Sequence, residues 1–125
     1  MAFITFYKAK LNHNYAFLDK MFKSHNIKWS IVSKLLCGNR DYVKILCETG
    51  ITEICDARIS NLELVKNINP NIQTVYIKPP AKRSIKSIVK YADVSFNTQI
   101  ETIKWLSEEA GRQNKTHKIV IMLEM

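Results

Sequence analysis

Polar and charged side chains follow five short apolar runs in the sequence, at the point where each run ends. Carboxyl, amide and hydroxyl groups at such positions bind ligands or move protons, and an amine can also bond covalently to a carbonyl compound. If the runs are parallel strands, these side chains meet at the carboxyl edge of one sheet, where α/β proteins place their chemistry. The residues are Ser33 and Lys34, Asp56 and Arg58, Lys78, Ser95 and Asn97, and Glu124.

Lys34 has the most specific chemistry of this set. It follows the run Trp29-Ser-Ile-Val-Ser33 and precedes Leu35 and Leu36, so we expect it to lie in apolar surroundings. Such surroundings disfavour the ammonium ion and leave the neutral amine that reacts with a carbonyl group. The alternative is a lysine whose amine reaches water from a strand end, and local sequence alone favours that alternative.

The elements that carry these residues alternate regularly. A leading strand is predicted within residues 1–8, over about Phe3 to Lys8, and is followed by a helix whose apolar residues are Tyr15, Leu18 and Phe22. β-Rich runs then begin every 20 to 24 residues, with helices between them. The predicted strands are Trp29–Val32, Glu53–Cys55, Thr74–Ile77, Val94–Phe96 and Lys118–Leu123.

The intervening helices have recognisable ends. The first, Asp41–Thr49, is predicted to end at Gly50. Ser60 with Glu63, and Thr98 with Glu101, have the spacing of capping boxes and predict two further helix starts. Pro79 and Pro80 break the chain before another helix, which carries Ile85, Ile88 and Val89.

This order predicts a single α/β domain over residues 1–125 with a parallel sheet, in which the βα units occupy residues 9–125. A doubly wound sheet has the same alternation, but no glycine-rich phosphate loop follows the first strand. A (β/α)8 TIM barrel has the same repeat over about 250 residues. We therefore expect half of a TIM barrel. An open half barrel exposes two sheet edges and an apolar layer, so either the chain is a fragment of a longer protein, which we favour, or copies of it associate to cover those surfaces.

Composition excludes several classes of protein. No apolar run is long enough to cross a bilayer, and Cys37, Cys47 and Cys55 match no zinc pattern, so we expect reduced thiols in a cytoplasmic protein without a metal site. The net charge of +8 raises the alternative of a basic module that binds nucleic acid or an acidic partner. No aromatic residues interleave with the basic ones, which favours a solvated helix face. The basic residues in question are Lys82, Arg83, Lys86 and Lys90.

Six segments carry a recognisable pattern, and the most specific is the one that ends at Lys34. They are Leu11-Asn-His-Asn14, Trp29-Ser-Ile-Val-Ser-Lys34, Cys37-Gly38-Asn39, Cys55-Asp-Ala-Arg-Ile-Ser-Asn-Leu62, Tyr91-Ala-Asp-Val-Ser-Phe-Asn97 and His117-Lys-Ile-Val-Ile-Met-Leu-Glu124. Over nearly all of its length the chain resembles the N-terminal barrel half of the alanine racemase-like enzymes of fold type III, above all the alanine/ornithine racemase branch.

The resemblance implies an amino-acid racemase that depends on pyridoxal 5'-phosphate (PLP). Lys34 would hold the cofactor as a Schiff base and act as the acid/base on one face of the substrate α-carbon. Arg58 and Asn61 match residues of the ornithine-type branch, and with Asn97 they are the further candidates for cofactor binding. The resemblance also implies a homodimer formed through a C-terminal part outside this chain, whose tyrosine serves the other face of the α-carbon.

Two departures limit what the resemblance carries over. Alanine racemases proper have a phosphate-binding tyrosine four residues after the lysine, where this chain has Gly38. The remaining phosphate contacts belong to the later barrel half, so we expect the 125-residue chain alone to have weak or no PLP affinity and no measurable racemase activity. A non-catalytic PLP-binding or carrier protein on the same barrel is an alternative. Arg58 could instead pair with Asp56 or cap its helix, and His13 and His117 are expected to be structural.

Overall fold

The computed structural model describes residues 4–123 and has the alternating α/β order that the sequence predicts. Five helices alternate with five strands, and a short 3-10 turn follows the first strand. The helices are α1 (Lys8–Ser24), α2 (Arg40–Cys47), α3 (Ile59–Ile68), α4 (Ile85–Tyr91) and α5 (Ile100–Arg112). The strands are β1 (Ile31–Val32), β2 (Glu53–Asp56), β3 (Gln73–Tyr76), β4 (Val94–Asn97) and β5 (Lys118–Ile121).

The five strands form one parallel sheet whose spatial order, β1-β2-β3-β4-β5, is also the order along the chain. A doubly wound sheet reverses its strand order at a switch point. No reversal occurs among these five strands, so the doubly wound alternative is not found in the described part of the chain. Each strand lies within two residues of its predicted start.

Apolar residues cover both faces of the sheet. On one face Ile54 packs with buried residues that include Val65 of α3, and Tyr76 packs with Leu62 of α3 and Ile88 of α4. Since side chains alternate along a strand, the neighbouring residues point to the opposite face. There Cys55, Val75 and Val94 form a separate cluster to which Ile77 and Phe96 add. This side of the sheet is here called the open face, because α2–α5 pack on the other side.

The prediction of a leading strand is wrong for residues 4–7, while residues 1–3 lie outside the described part. This segment has no strand, and helix α1 already begins at Lys8. The segment instead contacts α2, where the ring of Phe6 stacks on Tyr42 at 4.8 Å and the Tyr42 hydroxyl donates to the carbonyl of Ile4 at 3.3 Å. Local alternation of apolar and polar residues produced the wrong prediction, because it does not reveal which surface the segment contacts.

Both predicted capping boxes are wrong. Helix α3 begins at Ile59, one residue before Ser60, so Ser60 is already inside the helix and Arg58 occupies the cap position. Helix α5 begins after Gln99, and no side chain caps it. The cap that does form is Asn39, whose side-chain oxygen accepts from the backbone N–H groups of Asp41 and Tyr42 at 3.0 and 3.2 Å. Helix α2 also ends two residues earlier than predicted, at Cys47.

The last strand, β5, is exposed along its whole length. It pairs with β4 on one side, and on its other side no strand of residues 4–123 pairs with it. Cys47 and Cys55 are buried and Cys37 is exposed. None of the helices within the described range combines the length and apolar character needed to span a membrane.

Candidate functional site

The carboxyl edge of the sheet brings several of the polar strand-end residues to one level. Val32 pairs with Cys55, so Ser33 follows at the level of Asp56, and Asp56 pairs with Tyr76. Tyr76 in turn pairs with Ser95. Lys34 therefore leaves the sheet one residue beyond a buried polar row that runs across four strands. Glu124, predicted for the same edge, lies outside the described residues.

The backbone around Lys34 is a succession of tight turns. Ser33 is still tied to the sheet, because its N–H donates to the carbonyl of Cys55 at 2.9 Å. The 3-10 turn Lys34–Leu36 follows, with an N–H of Cys37 bonded to the carbonyl of Lys34 at 3.1 Å. Cys37 and Gly38 then adopt left-handed conformations, with φ of 50° and 73°, before Asn39 caps α2. The turn thus fixes the Lys34 backbone between a strand end and a helix start.

The side chain of Lys34 is exposed, and the prediction that it lies in apolar surroundings is wrong for the described part of the chain. The 3-10 turn carries the following residue, Leu35, out of the sheet and leaves it 90% exposed. The apolar residues that flank Lys34 in the sequence therefore do not enclose it. The fold leaves the Lys34 side chain exposed at the carboxyl edge of the sheet.

Asp56 lies directly beneath this turn and is fully buried, at 0% exposure. Its carboxylate accepts three hydrogen bonds. The Ser33 hydroxyl donates at 2.7 Å, the backbone N–H of Arg58 at 2.8 Å and the Asn61 amide at 3.0 Å. These four residues, here called the Asp56 cluster, link the ends of β1 and β2 to the first turn of α3. The three hydrogen bonds offset the free energy that burying an unpaired carboxylate would cost.

Gly38 closes the same turn against Asn61. A Cβ atom placed on Gly38 would lie 2.7 Å from Asn61 Oδ1, closer than real Cβ contacts, and the positive φ of 73° is itself a conformation that favours glycine. The predicted ligand residue Asn61 is therefore buried between Asp56 and Gly38. A larger residue at position 38, such as the tyrosine of alanine racemases, requires this contact to be rearranged.

Arg58 occupies the cap position of α3, and its side chain is exposed. Of the alternatives drawn from the sequence, the contact with Asp56 is made by the main-chain N–H of Arg58. Among residues 4–123 the guanidinium forms no ion pair with Asp56. The Arg58 side chain thus remains available at the edge of the sheet.

Asn97 ends β4 and is also fully buried, at 0% exposure. Its amide donates to the carbonyl and the hydroxyl of Ser95, at 2.9 and 3.1 Å. Its Oδ1 atom has no hydrogen-bond partner in the described part of the chain, although such buried acceptors are normally satisfied. The contact with Ser95 places Asn97 on the helix-facing side of β4, three strands from β1, or roughly 14 Å along a flat sheet.

His117 precedes β5 at the amino edge and contacts the same serine. Its Nε2 lies 2.8 Å from the Ser95 hydroxyl and its Nδ1 lies 3.1 Å from the carbonyl of Ala92. The carbonyl requires a protonated Nδ1, so Nε2 accepts the Ser95 proton in the neutral ring. Burial lowers the pKa of His117, while the Ala92 carbonyl and Asp93 act in the opposite direction. These contacts fit the structural role expected from the sequence, and His13 is exposed on α1.

Two surface cavities lie away from this edge. One, of about 440 Å³, is lined at the amino end of β1 by Trp29, Tyr15 and Asp19 among others. The other, of about 350 Å³, lies between α4 and α5 around Trp105. Neither of these two cavities includes Lys34.

Sequence reasoning placed Asp56 and Ser33 at strand ends but did not include them in the site. The signal that could have found Asp56 is its position in Glu53-Ile-Cys-Asp56, where a carboxylate follows two buried residues. A buried carboxylate requires several donors. Which donors these are could not be inferred, because Ser33 lies 23 residues away in the chain.

The described residues thus form a parallel α/β sheet wound in sequential order, with an exposed lysine and a buried carboxylate at its carboxyl edge. No protein-family model matches the chain. One similarity to a curated protein supports a racemase-related family. The relative is an ornithine racemase from Acetoanaerobium sticklandii, 31% identical over 116 residues. The match covers 93% of this chain and 32% of the relative, so the chain spans about a third of the relative's length.

Proposed function

We propose that this chain forms the lysine-bearing, N-terminal part of a PLP-dependent amino-acid racemase of the ornithine type, with Lys34 as the cofactor anchor. The observation that carries the proposal is the position of Lys34, an exposed amine directly after the first strand of a sequentially wound parallel sheet. The similarity to ornithine racemase, which extends over 93% of the chain, supports the same assignment.

The sheet supports a TIM barrel as the complete fold. Sequential order without a switch point is the order of a (β/α)8 barrel, in which helices cover one face and side chains fill the other. The open face has such apolar filling in Cys55, Val75 and Val94. The exposed β5 offers an edge at which a further parallel strand can add. Further βα units placed there would continue the barrel.

The residues present fit PLP in the part that binds its aldehyde. An accessible primary amine is required there, and the amine of Lys34 is exposed at the edge where barrels bind ligands. Asn97 is fully buried on the helix-facing side of β4, so its cofactor-binding role stays a prediction that its position does not support. Arg58, with its exposed guanidinium, is suited to an anionic group of the cofactor or substrate.

When bound, PLP supplies the electron sink that stabilises negative charge on the α-carbon of an amino acid. The chain's own contribution would be made by Lys34, whose Nζ would hold the cofactor and would take or return a proton on one face of that carbon. The proposed racemase needs a second acid/base on the other face of the α-carbon. The partner subunit of a homodimer supplies it, from a part of the protein that lies outside this chain.

The anchor role is tested by reductive trapping. The 125-residue chain is incubated with increasing PLP, reduced with cyanoborohydride and digested, and the pyridoxyl label is located by mass spectrometry. Label is expected on Lys34 at lower PLP concentrations than on other lysines. Lys78 is the matched reference, because it is also an exposed lysine at the carboxyl end of a strand. Equal labelling of both residues contradicts the proposal.

Two controls complete the experiment. Lys34→Met is expected to abolish the early label, whereas Lys78→Met leaves it unchanged. Incubation of the chain with single enantiomers of ornithine, lysine, alanine and serine is expected to give no racemisation, since one acid/base alone cannot serve both faces of the α-carbon. Turnover by the 125-residue chain would contradict the division of the active site proposed here.

A further inference from the structure

The Asp56 cluster is a polar arrangement whose position relative to Lys34 has a functional consequence. Buried carboxylates are costly, and a cluster of this kind persists in a fold only where its hydrogen bonds are nearly complete. Asp56 has its three donors, and all three come from segments adjacent to the Lys34 turn or to the start of α3. We infer that Asp56 is a positioning residue for Lys34, acting through Ser33 on one side of the turn and through Asn61 and Gly38 on the other.

The first connection runs through Ser33. Its hydroxyl donates to Asp56 Oδ2 at 2.7 Å while its N–H donates to the carbonyl of Cys55 at 2.9 Å. Two hydrogen bonds from one residue to the end of β2 fix both the position and the orientation of Ser33. Lys34 is the next residue, so the direction in which its side chain leaves the sheet follows from the orientation of Ser33.

The second connection runs through Asn61. Its amide donates to the same atom, Asp56 Oδ2, at 3.0 Å, which leaves its Oδ1 directed at Gly38. The space at Gly38 is too small for a Cβ atom, so the far end of the Lys34 turn packs tightly on Asn61. Asp56 therefore holds both ends of the turn between Ser33 and Gly38 through a single carboxylate oxygen.

The consequence is selectivity among lysines. The chain has several exposed lysines, and an exposed position alone does not distinguish Lys34 from Lys78. The contacts of Ser33 and Gly38 hold the backbone on both sides of Lys34, and reactions at a held group gain rate when the reacting atoms are kept in one geometry. The inference rests on the proposed role of Lys34 as the cofactor anchor and adds the residue that makes this lysine the preferred one.

The experiment compares two identical substitutions, Ser33→Ala and Ser95→Ala. Both serines are buried, at 2% and 0% exposure, and both hydroxyls form short hydrogen bonds, to Asp56 at 2.7 Å and with His117 at 2.8 Å. The labelling ratio of Lys34 to Lys78 is measured in each variant with PLP and cyanoborohydride. We expect S33A to lower the ratio by about tenfold or more, and S95A to leave it at the wild-type value.

Asp56→Asn and Gly38→Ala provide independent variants. An amide has one acceptor oxygen where the carboxylate has two, so D56N leaves at least one of three donors without its partner. Gly38→Ala introduces the contact with Asn61, and its control is Gly50→Ala, since Gly50 has a similar positive φ of 90° but no heavy atom within 4 Å of an added Cβ. D56N and G38A are expected to lower the labelling ratio, and G50A is expected to preserve it.

The outcomes separate the two proposals. A merely structural role would lower the urea midpoint of S33A and S95A alike without changing which lysine is labelled. A labelling ratio that is preserved in S33A and G38A overturns the positioning role of Asp56 but leaves the anchor role of Lys34 standing. Equal labelling of Lys34 and Lys78 in the wild-type chain overturns the anchor role, and the inference falls with it. A ratio that falls in S33A, D56N and G38A but not in S95A or G50A establishes Asp56 as a positioning residue.

Discussion

Lys66 Nζ lies 2.6 Å from Asp93 Oδ2, and this ion pair joins α3 to the segment that leads into β4. Lys66 also donates to the carbonyl of Ile72 at 2.9 Å, and Asp93 accepts from the N–H of Thr74 at 2.8 Å. The pair therefore lies at the amino edge of β3 and β4. The sheet thus has a carboxylate with several donors at each edge, Asp93 at the amino edge and Asp56 at the carboxyl edge.

Acid is expected to weaken the fold through Asp93. Burial acts to raise the pKa of Asp93, but the hydrogen bonds from Lys66 and Thr74 outweigh it and hold that pKa below its ordinary value of 3.8. A carboxyl with a depressed folded-state pKa stabilises the fold above its unfolded-state pKa and loses that contribution as the pH falls through the folded value. Because the Asp93 side chain is 43% exposed, solvent screening keeps the contribution to at most about 1 kcal/mol.

The measurement is the urea unfolding free energy from about pH 5 down to about pH 3, the range in which such a carboxyl titrates. Asp93→Asn is expected to be less stable than the wild-type chain at the upper end and to lose less stability on acidification. Lys104→Met is the control, because it removes the exposed pair with Glu101 and should change stability little. Parallel curves for the wild-type chain and D93N would show that Asp93 does not cause the acid dependence.

His117 gives a second pH dependence in a higher range. Its pKa is lowered from the ordinary 6.5, chiefly by burial, so the unfolded chain binds a proton more readily than the folded one. Stability from this group is therefore complete above the unfolded-state pKa and declines as the pH falls below it. His117→Gln is expected to flatten the unfolding free energy between about pH 7 and pH 5. An unchanged slope in H117Q would contradict this account.

The fold could largely be predicted from the sequence because each strand is a short apolar run between turn residues. That pattern predicted β2–β5 closely, but it failed at residues 4–7. There apolar and polar residues also alternate, yet the segment packs on α2 and forms no strand. The location of Lys34 at the carboxyl edge was correct. Its surroundings were not, because they depend on the direction of the turn after Ser33, which is set by contacts with Asp56 and Asn61 that local sequence does not reveal.

Two substitutions of leucine by alanine are expected to separate the core from the candidate site. Leu62, a residue of α3 with 0% exposure, packs against α4 and α5. Leu35, beside Lys34, is 90% exposed. Leu62→Ala should lower the unfolding free energy by about 2–5 kcal/mol through lost burial and a residual cavity. Leu35→Ala should change it by less than about 0.5 kcal/mol. A large loss in L35A would mean that Leu35 is covered in solution.

The exposed strand β5 is expected to cause self-association of the chain. Ile119, Val120 and Ile121 are 38%, 40% and 59% exposed, and the outer edge of β5 pairs with no strand of residues 4–123. A free apolar edge is a template for pairing with another chain, and lysine on an edge strand opposes such pairing. At roughly 100 μM, in the range where exposed edges associate, sedimentation should show oligomers of the wild-type chain that Val120→Lys with Ile121→Lys disperses.

Ile100→Lys is the matched control, because Ile100 is 63% exposed on α5 and lies on no strand edge, so the oligomers should persist in it. Dispersal by I100K as well would assign the association to net charge and not to the edge of β5.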